Sequence, residues 1–139
     1  MKKILAEMFS LAILFAAGAA ESRAEFQWRF RGDDNPLYSA PEFDDSDWEA
    51  IRVPGFWKRN GFPQVDGIGW YRGRIQLDPA VKTPRQLILE GVSRCDETWF
   101  NGRLIGRTGD FSDECSNHKY QMRCYEIPPE LIRRENVVA

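Results

Sequence analysis

A single histidine, His118, occurs in the 139 residues. A site built on two or more imidazoles is therefore excluded. A Ser-His-Asp arrangement would have to turn on His118, and no Gly-x-Ser-x-Gly turn is there to present its nucleophile. Cysteine is equally scarce, with only Cys95, Cys115 and Cys124. Three is an odd number for a disulfide framework, and one bridge plus one free thiol is the simplest arrangement in an oxidising compartment. Cys115–Cys124 closes a short loop and is the expected bridge. Cys95, Cys115, His118 and Cys124 are also the right types for zinc, but they lack two close cysteine pairs, and the disulfide is the preferred reading. No block of positive charge suits a phosphate backbone, which argues against nucleic acid as a partner. No amphipathic helix suggests a membrane surface, and there is no internal repeat or low-complexity linker.

What is present begins with a leader. Met1-Lys2-Lys3 is a short positive start, Ile4 to Gly18 is mostly apolar, and Ser22-Arg23-Ala24 offers small residues where a signal peptidase reads. Glu7 interrupts the apolar run, which is too short and broken for a spanning helix of ~20 apolar residues. Residues 1–24 are therefore expected to be a signal peptide cleaved after Ala24, with Ala20 as the alternative site. Residues 25–139 then form one exported domain, periplasmic or extracellular. That segment carries 16 basic and 19 acidic side chains, a mild imbalance.

Past the leader the signals are almost all strand and turn. Phe26 to Phe30 alternates apolar and polar residues, as a strand does. Gly32, Asp33, Asp34, Asn35 and Pro36 break any regular element. Ile51-Arg52-Val53 reads as a short strand ended by Pro54-Gly55, and Phe56 to Gly69 as a long irregular loop. Trp70 to Leu77 is the clearest strand, with Tyr71, Ile75 and Leu77 on one face and Trp70, Arg72, Arg74 and Gln76 on the other. Leu87-Ile88-Leu89 is apolar on both faces, which predicts a central strand. Asn101-Gly102 sits between two β-like runs, and that pair is the strongest short hairpin signal because both residues tolerate positive φ. Tyr120 to Ile127 is strand-like again, Pro128-Pro129 opens a turn, and Asn136-Val137-Val138-Ala139 reads as the start of a strand that breaks off. Closely spaced strands with many Gly and Pro turns predict an all-β sandwich or barrel.

The pieces Phe43-Asp44-Asp45-Ser46-Asp47-Trp48, Val53-Pro54-Gly55 and Gly69-Trp70-Tyr71-Arg72 come in a recognisable order. They are followed by Trp99-Phe100-Asn101-Gly102-Arg103-Leu104-Ile105-Gly106, Tyr125-Glu126-Ile127-Pro128 and Glu135-Asn136-Val137-Val138. Together they resemble the amino-terminal sugar-binding domain of glycoside hydrolase family 2. The resemblance implies a galactose-binding-like jelly roll, and the abrupt end at Val137-Val138-Ala139 leads us to expect that its final strand is truncated. Such domains occur in β-galactosidases and β-glucuronidases, in sialate O-acetylesterases, and at the front of some bacterial membrane signalling proteins. In the hydrolases the catalytic carboxylates sit in a separate barrel, so the resemblance implies no catalytic residue and no cofactor in this chain.

Four residues are the candidates for a ligand site. Trp57, Asp66 and Trp70 lie in or beside the long loop, where an aromatic plane next to directional polar groups suits a sugar. The competing reading is that both tryptophans plug the end of the sandwich. Arg72, on the polar face of its strand, either meets a ligand or pairs with a loop carboxylate. Asp44, Asp45 and Asp47 admit a Ca²⁺ site, since clustered carboxylates suit hard cations. The family likeness favours a capped turn that lets Trp48 enter the core. Three functions stay open: an accessory carbohydrate-binding module, with carbohydrate or the remainder of a longer chain as partner; a periplasmic sensing module of a membrane signalling protein; and a structural scaffold without a ligand.

Overall fold

The computed structural model describes the backbone of residues 10–15, 27–81, 83–111, 118 and 121–139. These form an antiparallel β-sandwich. One sheet has three strands in the order β1 (Ser10–Phe15), β5 (Arg85–Glu90), β8 (Arg123–Ile127). The other has six, in the order β3 (Glu49–Ile51), β2 (Trp28–Arg31), β4 (Trp70–Gln76), β9 (Glu135–Val138), β6 (Asp96–Phe100), β7 (Arg103–Thr108). Among the described residues, 3₁₀ turns occur at Pro36–Ser39, Trp57–Asn60 and Pro129–Leu131. Among the described residues no helix is long and apolar enough to cross a membrane.

The core forms where the inward positions of the two sheets meet. Trp28 and Phe30 of β2, Ile75 of β4, Leu87 and Leu89 of β5, Phe100 of β6, Ile127 of β8 and Val138 of β9 are buried together. Each belongs to a strand whose alternation places it on the inner face. Phe30 is the aromatic centre, with ring centroids 5.1 Å from Trp57, 4.7 Å from Phe62 and 4.9 Å from Tyr71. Gly69 has to be glycine, because a Cβ there would collide with the Trp57 and Phe30 rings.

One expected strand is displaced, for a physical reason. The strand expected at Ile51–Val53 lies two residues earlier, because Ile51 pairs with Trp28 and Ala50 with Arg29. The strand expected to begin at Asn136 is present as β9. β9 lies between β4 and β6, and Ala139 and Trp99 exchange both backbone hydrogen bonds, at 2.8 and 3.0 Å. The described residues also reach into the expected leader. Ser10–Phe15 pairs antiparallel with β5, from Ser10 opposite Glu90 to Phe15 opposite Arg85. Among the described residues that stretch is the second neighbour of β5, which lies between it and β8. The expected cleavage positions at Ala20 and Ala24 lie outside the described residues.

The hairpin at Asn101-Gly102 is present, with φ of 48° and 82° at the two turn residues. Its asparagine does more than turn the chain. Asn101 Nδ2 donates to Leu131 O at 2.7 Å and to Asn136 Oδ1 at 2.9 Å, while Asn101 Oδ1 accepts from Val137 N at 2.8 Å. Asn136, 1% exposed, also donates to Ile75 O and Arg133 O and accepts from Arg133 N. Two side-chain amides thereby lock β4, β9 and the β6–β7 turn together. Asn136→Ala leaves several buried backbone groups without partners, at roughly 1–3 kcal/mol for each group orphaned. Urea denaturation should show a midpoint shifted down with an unchanged slope.

Candidate functional site

The connection from Asp33 to Trp48 folds back over the outer face of β4. Tyr38 packs edge-on against Phe43 and Trp48, with ring centroids 5.0 and 4.7 Å apart. Asn35 Oδ1 caps the 3₁₀ turn at Leu37 N, and Asp44 Oδ1 accepts from Ser46 N, 3.0 Å each. These short polar side chains replace the ladder bonds that an irregular segment lacks. The result is a shell of carbonyls around one guanidinium. Arg72, fully buried, donates from Nε to Asp45 Oδ2 at 2.8 Å. Its Nη1 donates to Tyr38 O and to Ala40 O at 3.0 Å, its Nη2 to Phe43 O at 3.3 Å, and its cation lies 5.5 Å from the Phe43 ring centroid. Arg72 thus pairs with a loop carboxylate and is closed to any ligand, so its place among the candidate sugar contacts is corrected.

Asp45 is the centre of this hub. Besides Arg72 it meets Arg74 at 2.9 and 3.0 Å, and Arg29 lies 3.9 Å away. Burial pushes its pKa up, but the bonds from Arg74 and Arg72 outweigh that and hold it below the ordinary carboxylate value. Asp44 is spent on its turn, and Asp47 Oδ2 accepts from Arg31 at 3.0 Å. The three carboxylates proposed for Ca²⁺ therefore face different partners, chiefly arginines. Among the described residues no group of three or more metal-ligating side chains is assembled.

Trp57 is buried. Its Nε1 donates to Tyr71 Oη, and its ring packs on Phe30, so it fills the core and offers no stacking plane. Burial keeps Tyr71 protonated well above the usual phenol range. Trp70 is half-buried, donating from Nε1 to Asp34 Oδ1 at 3.1 Å and lying edge-on to Tyr38. Asp66 alone of the four candidates stands exposed on an open surface. It rims a cleft of about 440 Å³ between the end of β2, the start of β3 and the long loop. Phe30, Trp48, Phe62 and Val65 form the apolar wall, and Arg31, Asp47, Glu49, Gln64 and Asp66 the polar rim. The Trp48 indole N–H is buried without a hydrogen-bond partner among the described residues. Three carboxylates against one arginine, itself paired with Asp47, give the rim a negative balance.

Sequence reasoning missed a second hub across the sandwich. Arg123 of β8, 1% exposed, donates from Nε to Asp96 Oδ1 at 2.8 Å, from Nη1 to the carbonyls of His118 and Gln121, and from Nη2 to that of Arg94. Tyr125 Oη donates to Asp96 Oδ2 at 2.8 Å. The Tyr125 ring lies against Gly106, where a Cβ would collide with it. The signal was available: Arg123, Tyr125 and Ile127 share one strand face, so a charge falls in phase with core positions. The expected Cys115–Cys124 bridge is also corrected. Cys95 is disulfide-bonded, whereas Cys124 is a free, exposed thiol on the outward face of β8, bonded to Gln86 Oε1 at 3.2 Å. Cys115 lies outside the described residues. A zinc site using Cys95 is removed by the same bond.

No family model matches the chain. Individual relatives do. A putative β-glucuronidase of Formosa agariphila is 30% identical over 117 residues, covering 75% of this chain and 11% of that protein. A β-galactosidase of Vibrio cholerae is 29% identical over 137 residues, covering 81% of this chain and 13% of the enzyme. Two solved structures share the fold over 81% of this chain and 16% of their own. One is a glycosyl hydrolase family 2 member from Bacteroides cellulosilyticus, with a TM-score of 0.63 at 21% identity. The other is a β-glycosidase from Bacteroides vulgatus, with a TM-score of 0.59 at 23% identity. The chain is homologous to one small domain of family 2 glycoside hydrolases. It spans little more than a tenth of the curated relatives it matches.

The Asp45 hub carries a testable cost. Asp45→Asn leaves the fully buried Arg72 without a counter-charge, a loss of about 3–5 kcal/mol for a broken buried pair. Arg74→Ala, removing a half-exposed partner, should cost only about 0–1 kcal/mol. Because Asp45 has a depressed pKa when folded, its stabilisation is complete above the ordinary carboxylate value of about 4. It is lost as the pH falls through the depressed value. Thermal melts from pH 7 downwards should therefore show a steeper acid loss in the parent chain than in Asp45→Asn.

Proposed function

We propose that this chain is an accessory, carbohydrate-associated domain of an exported glycoside hydrolase-like protein and cleaves no bond itself. The observation that carries the reading is the scale of the likeness: one sandwich, matching about a tenth of a β-galactosidase or a putative β-glucuronidase. Glycoside hydrolysis requires an acid whose pKa is raised and a second carboxylate across the bond. The carboxylate of Asp45 is tuned the other way, ionised by arginines. Its partners within such a protein would be carbohydrate and the remainder of a longer chain. Export is supported by the positive start, the apolar run and the small residues up to Ala24. The disulfide at Cys95 fits the same oxidising compartment.

The cleft rimmed by Glu49, Gln64 and Asp66 is the sugar site of this reading. Carboxylate and amide oxygens accept from hydroxyl groups, and the apolar wall takes the C–H face. The negative balance disfavours uronic acids and favours neutral sugars. One observation favours a second reading, a structural scaffold with no ligand. Trp57 and Arg72, two of the candidate contacts, are buried and serve the fold. Calorimetric titration separates the two. Neutral β-galactosides should bind and β-glucuronides should not. Asp66→Ala should weaken binding roughly tenfold, the effect of losing one good hydrogen-bond partner. Absence of binding across a neutral glycan panel would refute the sugar site and leave the scaffold.

A further inference from the structure

β5 is the strand least able to stand at an edge. Leu87 is 0% exposed and Leu89 is 6% exposed on the core face, and Ile88, outside the main core cluster, is still only 7% exposed. A strand apolar on both faces belongs inside a sheet. β8 covers one of its edges, from Arg85 opposite Ile127 to Leu89 opposite Arg123. The other edge is covered over its whole length, among the described residues, by Ser10–Phe15 alone, in an unbroken antiparallel register. Those six residues lie within the segment whose composition reads as a removable export leader.

We propose that Ser10–Phe15 is a guard strand on the acceptor edge of β5, and that its loss turns this edge into a pairing surface for a second copy of the chain. An open edge presents a row of unpaired N–H and C=O groups, and an apolar one templates another strand. The residues of β5 suit self-pairing. With Ile88 opposite Ile88 of the second copy, Leu87 falls opposite Leu89 and Gln86 opposite Glu90. No like charges meet, and the core-facing residues of both copies stay on one face of the continuous sheet. The pairing is two-fold symmetric and therefore closes at a dimer. Leader removal and a monomeric three-stranded sheet are then mutually exclusive.

The test uses the full chain and its Ile13→Pro variant, since proline removes a ladder donor and disfavours the strand. In the parent chain, hydrogen exchange should show the amides of Arg85–Glu90 protected as well as those of β4, and sedimentation should give a monomer. In Ile13→Pro, β5 amides should exchange at least roughly tenfold faster at low concentration, with β4 and β9 unchanged. A concentration-dependent dimer should also form. Adding Gln86→Glu places like charges opposite each other twice in that dimer and should weaken dimerisation, its single clash with Glu126 of β8 being common to monomer and dimer, whereas aggregation of a misfolded chain would not respond. A variant that stays monomeric at all concentrations overturns the pairing surface. If Ile13→Pro unfolds β4 and β9 as well, the parent chain decides: β5 amides exchanging as fast as loop amides would overturn the guard strand, and protection on both edges upholds it.

Discussion

The buried guanidinium of Arg72 sets the terms for one end of this sandwich. A full charge without solvent is sustainable only if each nitrogen finds an acceptor and a counter-charge is near. Asp45 supplies the charge, and the carbonyls of Tyr38, Ala40 and Phe43 supply the remaining acceptors. Those carbonyls belong to a segment with almost no ladder bonds of its own, so the requirement of one side chain organises more than ten residues of irregular chain. The loop in turn seats Tyr38 against Phe43 and Trp48, and Trp48 forms one wall of the cleft. The position of the candidate sugar site thus depends on a charge that never touches a ligand.

The same solution occurs a second time. Arg123 repeats the pattern of Arg72, with a strand arginine, one aspartate and three loop carbonyls. A small sandwich has a limited apolar core, and its long connections cannot be held by burial alone. Each hub attaches a connection to a strand through directional bonds.

The strands were legible because alternation and turn chemistry are local. Trp70 to Gln76 and the Asn101-Gly102 hairpin stand where residue order places them. The roles of polar residues were not legible in the same way, since they depend on contacts between distant segments. Arg72 and Asp45 are 27 positions apart, and Asn101 and Asn136 are 35 apart. Trp57 looks like a stacking platform in sequence because nothing nearby reveals that Phe30 and Tyr71 will enclose it. The apolar character of Leu87-Ile88-Leu89 indicated a central strand, but its second neighbour lay in a segment whose composition pointed to export. For Cys124, loop length suggested a bridge, whereas the outward face of β8 decided against it.

The Asn101-Gly102 turn has a consequence beyond geometry. An asparagine followed by glycine is the dipeptide most prone to lose its side-chain amide, because the unhindered glycine nitrogen can attack the amide carbon and close a succinimide. Here the Asn101 amide is held at both ends, its nitrogen by Leu131 O and Asn136 Oδ1 and its oxygen by Val137 N. The clamp that joins the turn to β9 keeps that carbon from swinging onto the backbone nitrogen. Folding therefore doubles as chemical preservation, and molecules that spend longer unfolded age first at this residue.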